Sequence, residues 1–514
     1  MKYYLPAFLE GFTVMALELI IGHVLYIFFG SSLITWTSVI GFTVGGLAIG
    51  YFISGKYSFP GNYKSLAYLF SAISLLLFLF PFSTEKILFS VPVRNIQFAI
   101  LFCSFLLIIP FTILLGTIPP ALIRMSVQTL NNSGNKSGQV FAISTLGGLC
   151  SCFLFGFFLM PFVGIRFNML ILGILSALFA FSILWKDKKK TVILLSIVCS
   201  LFIAFGFFNK PAKNVYKVLH NSEGILGQLM VLDDFSNLNE NMPGVRILFI
   251  NRTPQTVFFP QNKGNQYSEY VLGVSAMASI YPAGSKALVL GAGGGAVVDH
   301  FHKLGFHTDV CDLDKRMVDI GKNYFNLKNI PVNYFIDDAR HYINVCRKKY
   351  DVIVFDIFNG ENTPSHVLTK ESIEQACNLL NDGGMILVNF NGFLQSKQGI
   401  STRSLIKTFK ALGLNVNVLP TPGEESTRNC ILQASFNNPD FSKVRLDSLT
   451  NNKNFDLQKL IISYRKDDLP DAFILNDNNP ILERINLEAN FQWRTNGITN
   501  SLKKLYKKGV PLFY

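Results

Sequence analysis

Charged residues are scarce in this chain of 514 residues: they make up 15% of it, whereas hydrophobic residues make up 50% and Phe occurs 48 times. The scarcity is greatest in residues 1–208, which contain 12 Lys and Arg but only 4 Asp and Glu. One soluble enzyme would not be this apolar. More than half of the formal net charge of +13 therefore lies beside apolar segments. That distribution is typical of membrane flanks and argues against a nucleic-acid partner.

Cysteine motifs and a cleavable leader are missing as well. The eight Cys form no CxxC pair, and four of them lie in apolar runs, so neither a disulfide framework nor a metal site is predicted. The N-terminus has no signal-peptide cleavage pattern, and its first apolar run is too long for a signal peptide. We therefore expect no metal cofactor, and we interpret the first run as a membrane helix.

Long apolar runs dominate the first 208 residues. Runs of spanning length occur at about 5–29, 31–54, 65–82, 97–123, 139–163, 167–185 and 191–208. They predict a multi-pass α-helical membrane domain with about seven helices. In the second run, Gly41-x-x-x-Gly45 and Gly46-x-x-x-Gly50 have the small-residue spacing that lets helices approach closely.

Ionisable side chains interrupt the first apolar run at Glu10, Glu18 and His23. An ionisable group at membrane depth is costly, so each is a functional candidate. Glu18 is the most central of the carboxylates along the run. We expect it to face the bundle interior, where it either lines a polar cavity for a cation or pairs with His23 or Arg124.

The glycine-rich stretch after residue 286 is the main motif of the second half. Ala287–Leu290 is a short apolar run typical of a buried parallel strand. Gly291–Ala296 follows and fits G-x-G-x-x-G/A, with Gly291, Gly293 and Gly295 at the positions where the backbone turns tightly and approaches a ligand. Asp312 ends the next apolar run, where a carboxylate can accept both hydroxyls of a ribose. This order of elements predicts a nucleoside-binding α/β domain.

Two further acids follow apolar runs in the same rhythm. Asp338 follows the run 332–336, and Asp356 ends the run 350–355. Runs at 384–390, 414–418 and 431–435 complete a predicted doubly wound, Rossmann-like sheet. Since ligands bind beyond the carboxyl ends of parallel strands, Asp312, Asp338 and Asp356 are expected to share one crevice.

The chain is therefore divided into four predicted segments. They are a transmembrane domain (1–208), a linker with a small β-element (209–285), the nucleoside-binding domain (286–440) and a C-terminal extension packed on that domain (441–514).

These motifs resemble a known family, the polyamine aminopropyltransferases or spermidine synthases, and above all the bacterial branch in which that domain is fused to a membrane domain. The resemblance in the soluble half lies in 288–295, 310–314, 337–339, 350–356 and 364–369. The resemblance to the fused branch lies in 30–32, 39–50, 116–124, 141–148 and 472–480.

The resemblance implies a class I methyltransferase-like fold. It also implies transfer of an aminopropyl group from decarboxylated S-adenosylmethionine to an amine. Asp312 would then hold the ribose, Asp338 with Ala339 the adenine, and Asp356 would lie near the sulfonium and the attacking amine. The implied partners are a small-molecule amine acceptor and membrane lipid, and a homodimer is left open.

The acceptor side departs from the family pattern. Gly294 and Asn359 stand where spermidine synthases carry acids, and Tyr267-Ser268-Glu269 replaces Tyr-His-Glu. Asn359 takes the place of the acid usually assigned as general base, and an amide cannot accept a proton as a carboxylate does. Glu361 is the substitute that we predict, with Tyr267 and Glu269 on the acceptor side and Asp356 as the remaining catalytic acid.

Two other functions and the side of the membrane stay open. A methyltransferase using S-adenosylmethionine and a non-catalytic polyamine-binding or transport protein both fit the same scaffold. We expect a bacterial-type inner membrane protein whose soluble domain faces the cytoplasm, where such donors are made. The positive-inside rule with seven helices instead places everything after Phe208 outside.

Overall fold

The computed structural model describes residues 2–185, 216–495, 499–507 and 510, except for gaps at 31–32, 92–94, 128, 130–131, 225, 236–243, 261–266, 359–362, 446–456 and 464–468. The predicted helix at 191–208 lies outside the described residues, and so do Asn359 and Glu361. The chain forms two compact units. The first contains Met1–Lys213, Ser222–Gly227 and Leu502–Tyr514, and the second contains Asn214–Asn221 and Gln228–Ser501.

The first unit is helical. Its helices are α1 (Tyr4–Phe29), α2 (Leu33–Tyr57), α3 (Tyr63–Ser90), α4 (Ile96–Gly116), α5 (Ile118–Ser126), α6 (Ser133–Phe153), α7 (Met160–Val163) and α8 (Ile165–Leu184), with a π-helical turn at Leu154–Leu159 between α6 and α7. Within the described residues, six helical segments are long and apolar enough to cross a membrane. Six of the seven predicted runs are thus confirmed as long helices.

Glycine sets how closely these helices pack. A Cβ on Gly50 of α2 would lie 2.4 Å from the Ile113 carbonyl oxygen of α4, and a Cβ on Gly147 of α6 would lie 2.1 Å from the Phe8 carbonyl oxygen of α1. At Gly41 and Gly45 a Cβ would meet nothing within 4 Å. Of the two predicted glycine pairs in α2, the one at 46 and 50 makes the close contact.

The two carboxylates of α1 differ in their surroundings. Glu10 is 2% exposed, and the Ser144 hydroxyl of α6 donates to its Oε2 at 2.6 Å. Glu18 is half-buried. Arg124 instead donates to the Ser58 and Pro60 carbonyl oxygens at 2.8 and 2.6 Å. Glu10 is therefore the more enclosed of the two acids.

The second unit begins with a small sheet. It contains β1 (Tyr216–Ser222), β2 (Leu229–Asp234), β3 (Val245–Ile250) and β4 (Thr253–Phe258) in that spatial order. The pairs β2–β3 and β3–β4 are antiparallel. This sheet lies within the segment predicted as linker and β-element.

The larger sheet has eight strands in the order β12-β10-β11-β9-β8-β5-β6-β7. Its strands are β5 (Lys286–Leu290), β6 (His307–Asp312), β7 (Val332–Ile336), β8 (Tyr350–Phe355), β9 (Leu380–Asn391), β10 (Asn415–Pro420), β11 (Asn429–Ser435) and β12 (Ile462–Ser463). Strands β9, β8, β5, β6 and β7 are parallel, and β10 to β12 extend the sheet antiparallel. The chain reverses direction across the sheet between β5 and β8, and such a switch point is where ligands bind.

Helices cover the larger sheet and bury two apolar clusters on its faces. They are α9 (Glu269–Ala278), α10 (Ala296–Lys303), α11 (Arg316–Tyr324), α12 (Ala339–Val345), α13 (Lys370–Cys377), α14 (Ile400–Ala411), α15 (Leu457–Leu460), α16 (Leu482–Ile485) and α17 (Leu487–Trp493). The last helix, α18 (Thr499–Lys507), belongs from Leu502 onward to the first unit, where Tyr506 stacks on Phe89. The predicted doubly wound α/β fold is confirmed.

Candidate functional site

The glycine loop joins the carboxyl end of β5 to α10. Gly291 has φ +92°, and a Cβ there would lie 2.2 Å from the Asp356 carbonyl oxygen, so only glycine fits. Gly295 has φ +80°, and a Cβ there would lie 2.1 Å from Leu327 Cδ1. These glycines bring the end of β5 against the end of β8 and leave the loop backbone bare where a ligand would approach.

Asp312 lies beside this loop, at the carboxyl end of β6. The Ala292 N–H donates to its Oδ2 at 2.7 Å, and the Asp314 N–H donates to its Oδ1 at 2.8 Å. Burial raises the pKa of Asp312, while these two hydrogen bonds favour its ionised form. A carboxylate has about four acceptor positions. Asp312 can therefore accept two further hydrogen bonds, which suits the paired hydroxyls of a ribose.

Asp338 begins α12. The N–H groups of Arg340 and His341 donate to its Oδ1 at 2.9 and 3.1 Å, so this oxygen caps the helix. Its Oδ2 lies 3.3 Å from His366 Nε2. Burial would raise the pKa of Asp338, but the hydrogen bonds hold it below the ordinary value. One oxygen thus positions the helix that Ala339 opens, and the other is available to a ligand.

Asp356 follows β8 at the switch point. Asn389 Nδ2 donates to its Oδ1 at 2.8 Å, and the Tyr270 hydroxyl lies 3.3 Å from its Oδ2. Burial raises the pKa of Asp356 to about 6, against the effect of both hydrogen bonds. The carboxylate is thus held in a defined orientation and titrates close to neutral pH.

Sequence reasoning did not identify Asn389 or Tyr270. Asn389 lies near the end of the apolar run that forms β9, and Tyr270 lies in the first turn of α9, but neither position by itself indicates a contact with Asp356. The predicted acceptor residue Tyr267 is buried and packs against Phe258 and His300, with ring centroids 5.2 and 5.4 Å away. In the described geometry Tyr270, rather than Tyr267, contacts Asp356.

The remaining predicted site residues lie elsewhere. Glu269 is exposed at the start of α9, and Glu18 belongs to the first unit. The structure therefore brings Gly291, Gly293, Gly295, Asp312, Asp338 and Asp356 to one edge of the sheet. In the part of the chain that the structure describes, no three His, Cys, Asp or Glu side chains lie close enough to hold a metal ion.

The comparison with protein-family models identifies a domain in the second unit. The spermine/spermidine synthase domain model matches residues 264–437, which include the glycine loop and all three acids at the strand ends. The chain carries a spermidine synthase domain. This agrees with the resemblance inferred from the motifs.

Two curated proteins and one solved structure are similar to this spermidine synthase domain. The polyamine aminopropyltransferase of Vibrio vulnificus is 27% identical over 38% of this chain and 65% of its own length. The N-terminal histidine N-methyltransferase of Emericella nidulans is 34% identical over 25% of this chain and 24% of its own length. A probable spermidine synthase from Corynebacterium glutamicum has a TM-score of 0.36 at 19% identity, over 45% of this chain and 82% of that one.

The spermidine synthase domain contacts the small sheet at Gly294. The Gly294 N–H donates to Thr256 Oγ1 of β4 at 2.9 Å, and a Cβ at 294 would lie 2.9 Å from Thr256 Cγ2. A side chain at 294 therefore requires Thr256 to move. This contact gives a physical reason why glycine stands where the family carries an acid.

Two amide pairs lie along β9, and one of them joins the spermidine synthase domain to the C-terminal extension. Asn429 Nδ2 donates to Asn389 Oδ1 at 3.0 Å, and Asn391 Nδ2 donates to Asn490 Oδ1 at 2.6 Å. Asn490 belongs to α17, beyond the residues that the family model matches. Asn389 and Asn391 lie on the same face of β9 because side chains alternate along a strand. Asn389, which also bonds Asp356, is thus held in turn by the amide of Asn429.

Proposed function

We propose that this chain is a membrane-bound transferase of the spermidine synthase type. It would move an aminopropyl group from decarboxylated S-adenosylmethionine to an amine acceptor. One observation carries the proposal: the glycine loop and Asp312, Asp338 and Asp356 meet at the carboxyl edge of the sheet, at its switch point. This is the place where an α/β sheet binds a nucleoside.

The donor would be held by its nucleoside. The free acceptor positions of Asp312 suit the ribose hydroxyls, and Oδ2 of Asp338 suits the adenine amino group. The bare backbone from Gly291 to Gly295 leaves room for the chain that carries the sulfonium. A carboxylate hydrogen bond to a ligand of this kind is worth roughly 1.5–3 kcal/mol.

Asp356 would act in the displacement reaction, in which the amine replaces the sulfur. The amine nitrogen forms a bond to the carbon beside the sulfonium, and the carbon–sulfur bond breaks with its electron pair going to sulfur. The products are the extended amine and 5′-methylthioadenosine, and one proton leaves the nitrogen. Asp356, with a pKa of about 6, is ionised at neutral pH and can orient the amine and accept that proton. Glu361 is the second acid proposed for this step.

The acceptor is proposed to be less cationic than putrescine. Gly294 and Asn359 remove two negative charges relative to the family pattern, and the described side chains that hydrogen-bond Asp356, Asn389 and Tyr270, are uncharged. At an effective dielectric of about 20, each charge some 4 Å from an ammonium contributes on the order of 4 kcal/mol before desolvation. We therefore expect putrescine to be a poor acceptor.

The membrane assignment rests on the first unit. The six long apolar helices among its described residues fit membrane spans by length and composition. Lys2, Lys56, Lys64, Arg124 and Lys136 lie near the described helix ends that share a side with the N-terminus. By the positive-inside rule this side is cytoplasmic. We propose that the soluble domain also faces the cytoplasm, where its donor is made.

Methyl transfer is the second candidate function. It is favoured by the similarity to the N-terminal histidine N-methyltransferase of Emericella nidulans. That protein is 34% identical to this chain over 137 residues, whereas the Vibrio protein is 27% identical over 209 residues. Both reactions use an adenosyl sulfonium donor, so the nucleoside side of the crevice fits either. The methyl donor has a carboxylate that the aminopropyl donor lacks, and the two reactions release different nucleosides.

Chromatography of the released nucleoside tests the proposal. Detergent-solubilised full chain is incubated with a panel of amines and either decarboxylated or intact S-adenosylmethionine. Aminopropyl transfer releases 5′-methylthioadenosine from the decarboxylated donor, whereas methyl transfer releases S-adenosylhomocysteine from the intact donor. The control is Asp356→Asn. If the unaltered chain releases no more of either nucleoside than this control does, the domain only binds its ligand and the proposal is contradicted.

A further inference from the structure

A polar cavity of about 380 Å³ lies at the end of the first unit where α1 and α6 begin. Its described lining residues are Lys2, Tyr3, Tyr4, Ser126, Asn132, Lys136, Gln139 and Val140. This lining contains two Lys and, among the described residues, neither Asp nor Glu. The cavity therefore carries positive charge without a carboxylate to balance it.

Two helices add to this positive potential. Tyr4 contacts Gln139 and Glu10 contacts Ser144, so α1 and α6 run in the same direction and both begin at the cavity. Neither helix has an acid in its first turn, and neither N-cap side chain accepts a bond from the turn that follows. A helix N-terminus carries roughly half a positive charge, and here two of them lie side by side.

Each of the two ammonium groups contacts a neighbouring side chain. Lys136 Nζ lies 3.4 Å from Gln139 Oε1, which also accepts the Tyr4 hydroxyl at 2.8 Å. Lys2 Nζ lies 4.2 Å above the Tyr63 ring, and the Tyr63 hydroxyl donates to the Lys2 carbonyl oxygen at 3.1 Å. One bond uses only one of the three N–H groups of Lys136. The lining thus contains two ammonium groups with N–H groups left for an anion.

The surroundings indicate which anion the cavity takes. It lies at the ends of helices that fit membrane spans, beside Tyr3, Tyr4 and Tyr63, and aromatic residues of this kind mark the level of the lipid headgroups. Basic pockets between membrane helices suit anionic headgroups. Glu10, the next acid along α1, is buried and turned toward Ser144.

We propose that this cavity binds the phosphate of an anionic phospholipid headgroup, held between Lys2 and Lys136 at the N-termini of α1 and α6. The inference rests on the membrane location proposed above. It is independent of the transferase reaction, because every lining residue belongs to the first unit.

Lipid binding to the detergent-solubilised full chain tests the proposal. Native mass spectrometry and thermal melting are recorded with phosphatidylglycerol, phosphatidylcholine or inorganic phosphate. We expect phosphatidylglycerol to bind and raise the melting temperature more than phosphatidylcholine does. The Lys2→Gln/Lys136→Gln variant should bind phosphatidylglycerol about thirtyfold more weakly, since each Lys is worth on the order of 1 kcal/mol near an anionic headgroup. Lys2→Arg/Lys136→Arg should retain binding.

The matched control is Lys56→Gln/Lys86→Gln, which removes two exposed lysines outside the cavity, one at each end of the bundle. It should leave phosphatidylglycerol affinity unchanged. Equal loss in both double variants would overturn the proposal, as would unchanged binding when Lys2 and Lys136 are replaced. Stabilisation by inorganic phosphate equal to that by the lipid would assign the cavity to a free anion instead. Nucleoside release, assayed on the same samples, reports separately on the transferase.

Discussion

Asp356 is the side chain on which the proposed chemistry depends most. It is held by Asn389 and Tyr270, and burial raises its pKa to about 6. A base must be ionised to accept a proton, so kcat/KM should fall as pH drops through about 6. A pH–rate profile of the full chain measures this directly.

The same pKa has a consequence for stability. The unfolded chain releases this proton near pH 4, whereas the folded chain keeps it until about pH 6. The free energy of unfolding should therefore decrease as pH rises between these values.

The pH–rate profile has two control variants. Asp351→Asn, at the opposite edge of the sheet, should leave the profile unchanged, and Asp356→Asn should remove activity at every pH. A profile that stays flat between pH 5 and 7 in a folded enzyme would contradict the role of Asp356.

Charge removal at Asp312 and Asp338 should weaken binding of an adenosyl ligand. Asp312→Asn and Asp338→Asn keep the size of the side chain, and Asn caps a helix as well as Asp does. Each change should lower the affinity for 5′-methylthioadenosine by roughly 1.5–3 kcal/mol, measured by calorimetry. Asp351→Asn is the matched control because Asp351 also accepts a backbone N–H, from Lys286 at 2.7 Å. Unchanged affinity in both crevice variants would place the nucleoside elsewhere.

At the scale of residues, the sequence predicted the acids but not their partners. Asp312, Asp338 and Asp356 were identified because each follows an apolar run, and parallel strands end at one edge. Tyr270 and Asn389 were missed because their contacts with Asp356 depend on the packing of α9 and β9 against β8, which no spacing encodes.

At the scale of elements, the contact between β4 and the glycine loop explains a departure from the family. Gly294→Ala should destabilise the domain because its Cβ would meet Thr256. Thr256→Gly provides the space, so the double variant should be more stable than the sum of the two single changes predicts. We expect a coupling of about 1 kcal/mol or more, measured by thermal melting in a double-mutant cycle. Additive effects would show that Thr256 does not restrict position 294.

The packing of the glycines in α2 leads to a second prediction at this scale. Gly50→Ala places a methyl group against the backbone of α4 and should destabilise the first unit by about 1–3 kcal/mol. Gly41→Ala, in the same helix and with open space around it, should change stability little, because Ala is the better helix former. Thermal melting in detergent compares the two. Equal effects would mean that the contact between α2 and α4 is not close in solution.

Run length predicted the helices of the first unit well because a membrane span demands about 20 apolar residues. The alternation of strands and helices in the second unit was predicted equally well, including the apolar runs that form β10 and β11. Spacing alone could not tell which glycine pair of α2 packs, since Gly41-x-x-x-Gly45 and Gly46-x-x-x-Gly50 are identical patterns. Nor did it predict the π-helical turn at Leu154–Leu159.

At the scale of the whole molecule, the chain divides into a helical unit and a transferase-like unit. In the sequence, the apolar excess ends near residue 208. The grouping of Leu502–Tyr514 with the helical unit was not predicted, since α18 is amphipathic and too short to span a membrane.

Transfer of a labelled aminopropyl group tests the central claim most directly. The full chain is given decarboxylated S-adenosylmethionine labelled in its aminopropyl carbons, together with a panel of amines that includes putrescine. We predict that label appears in an amine product, that putrescine is a poor acceptor, and that Asn359→Asp raises its turnover. Spermidine formation by the unaltered chain at about 1 per second or faster would contradict the acceptor argument. Label that never leaves the donor with any amine would contradict the assignment of this chain as an aminopropyl transferase.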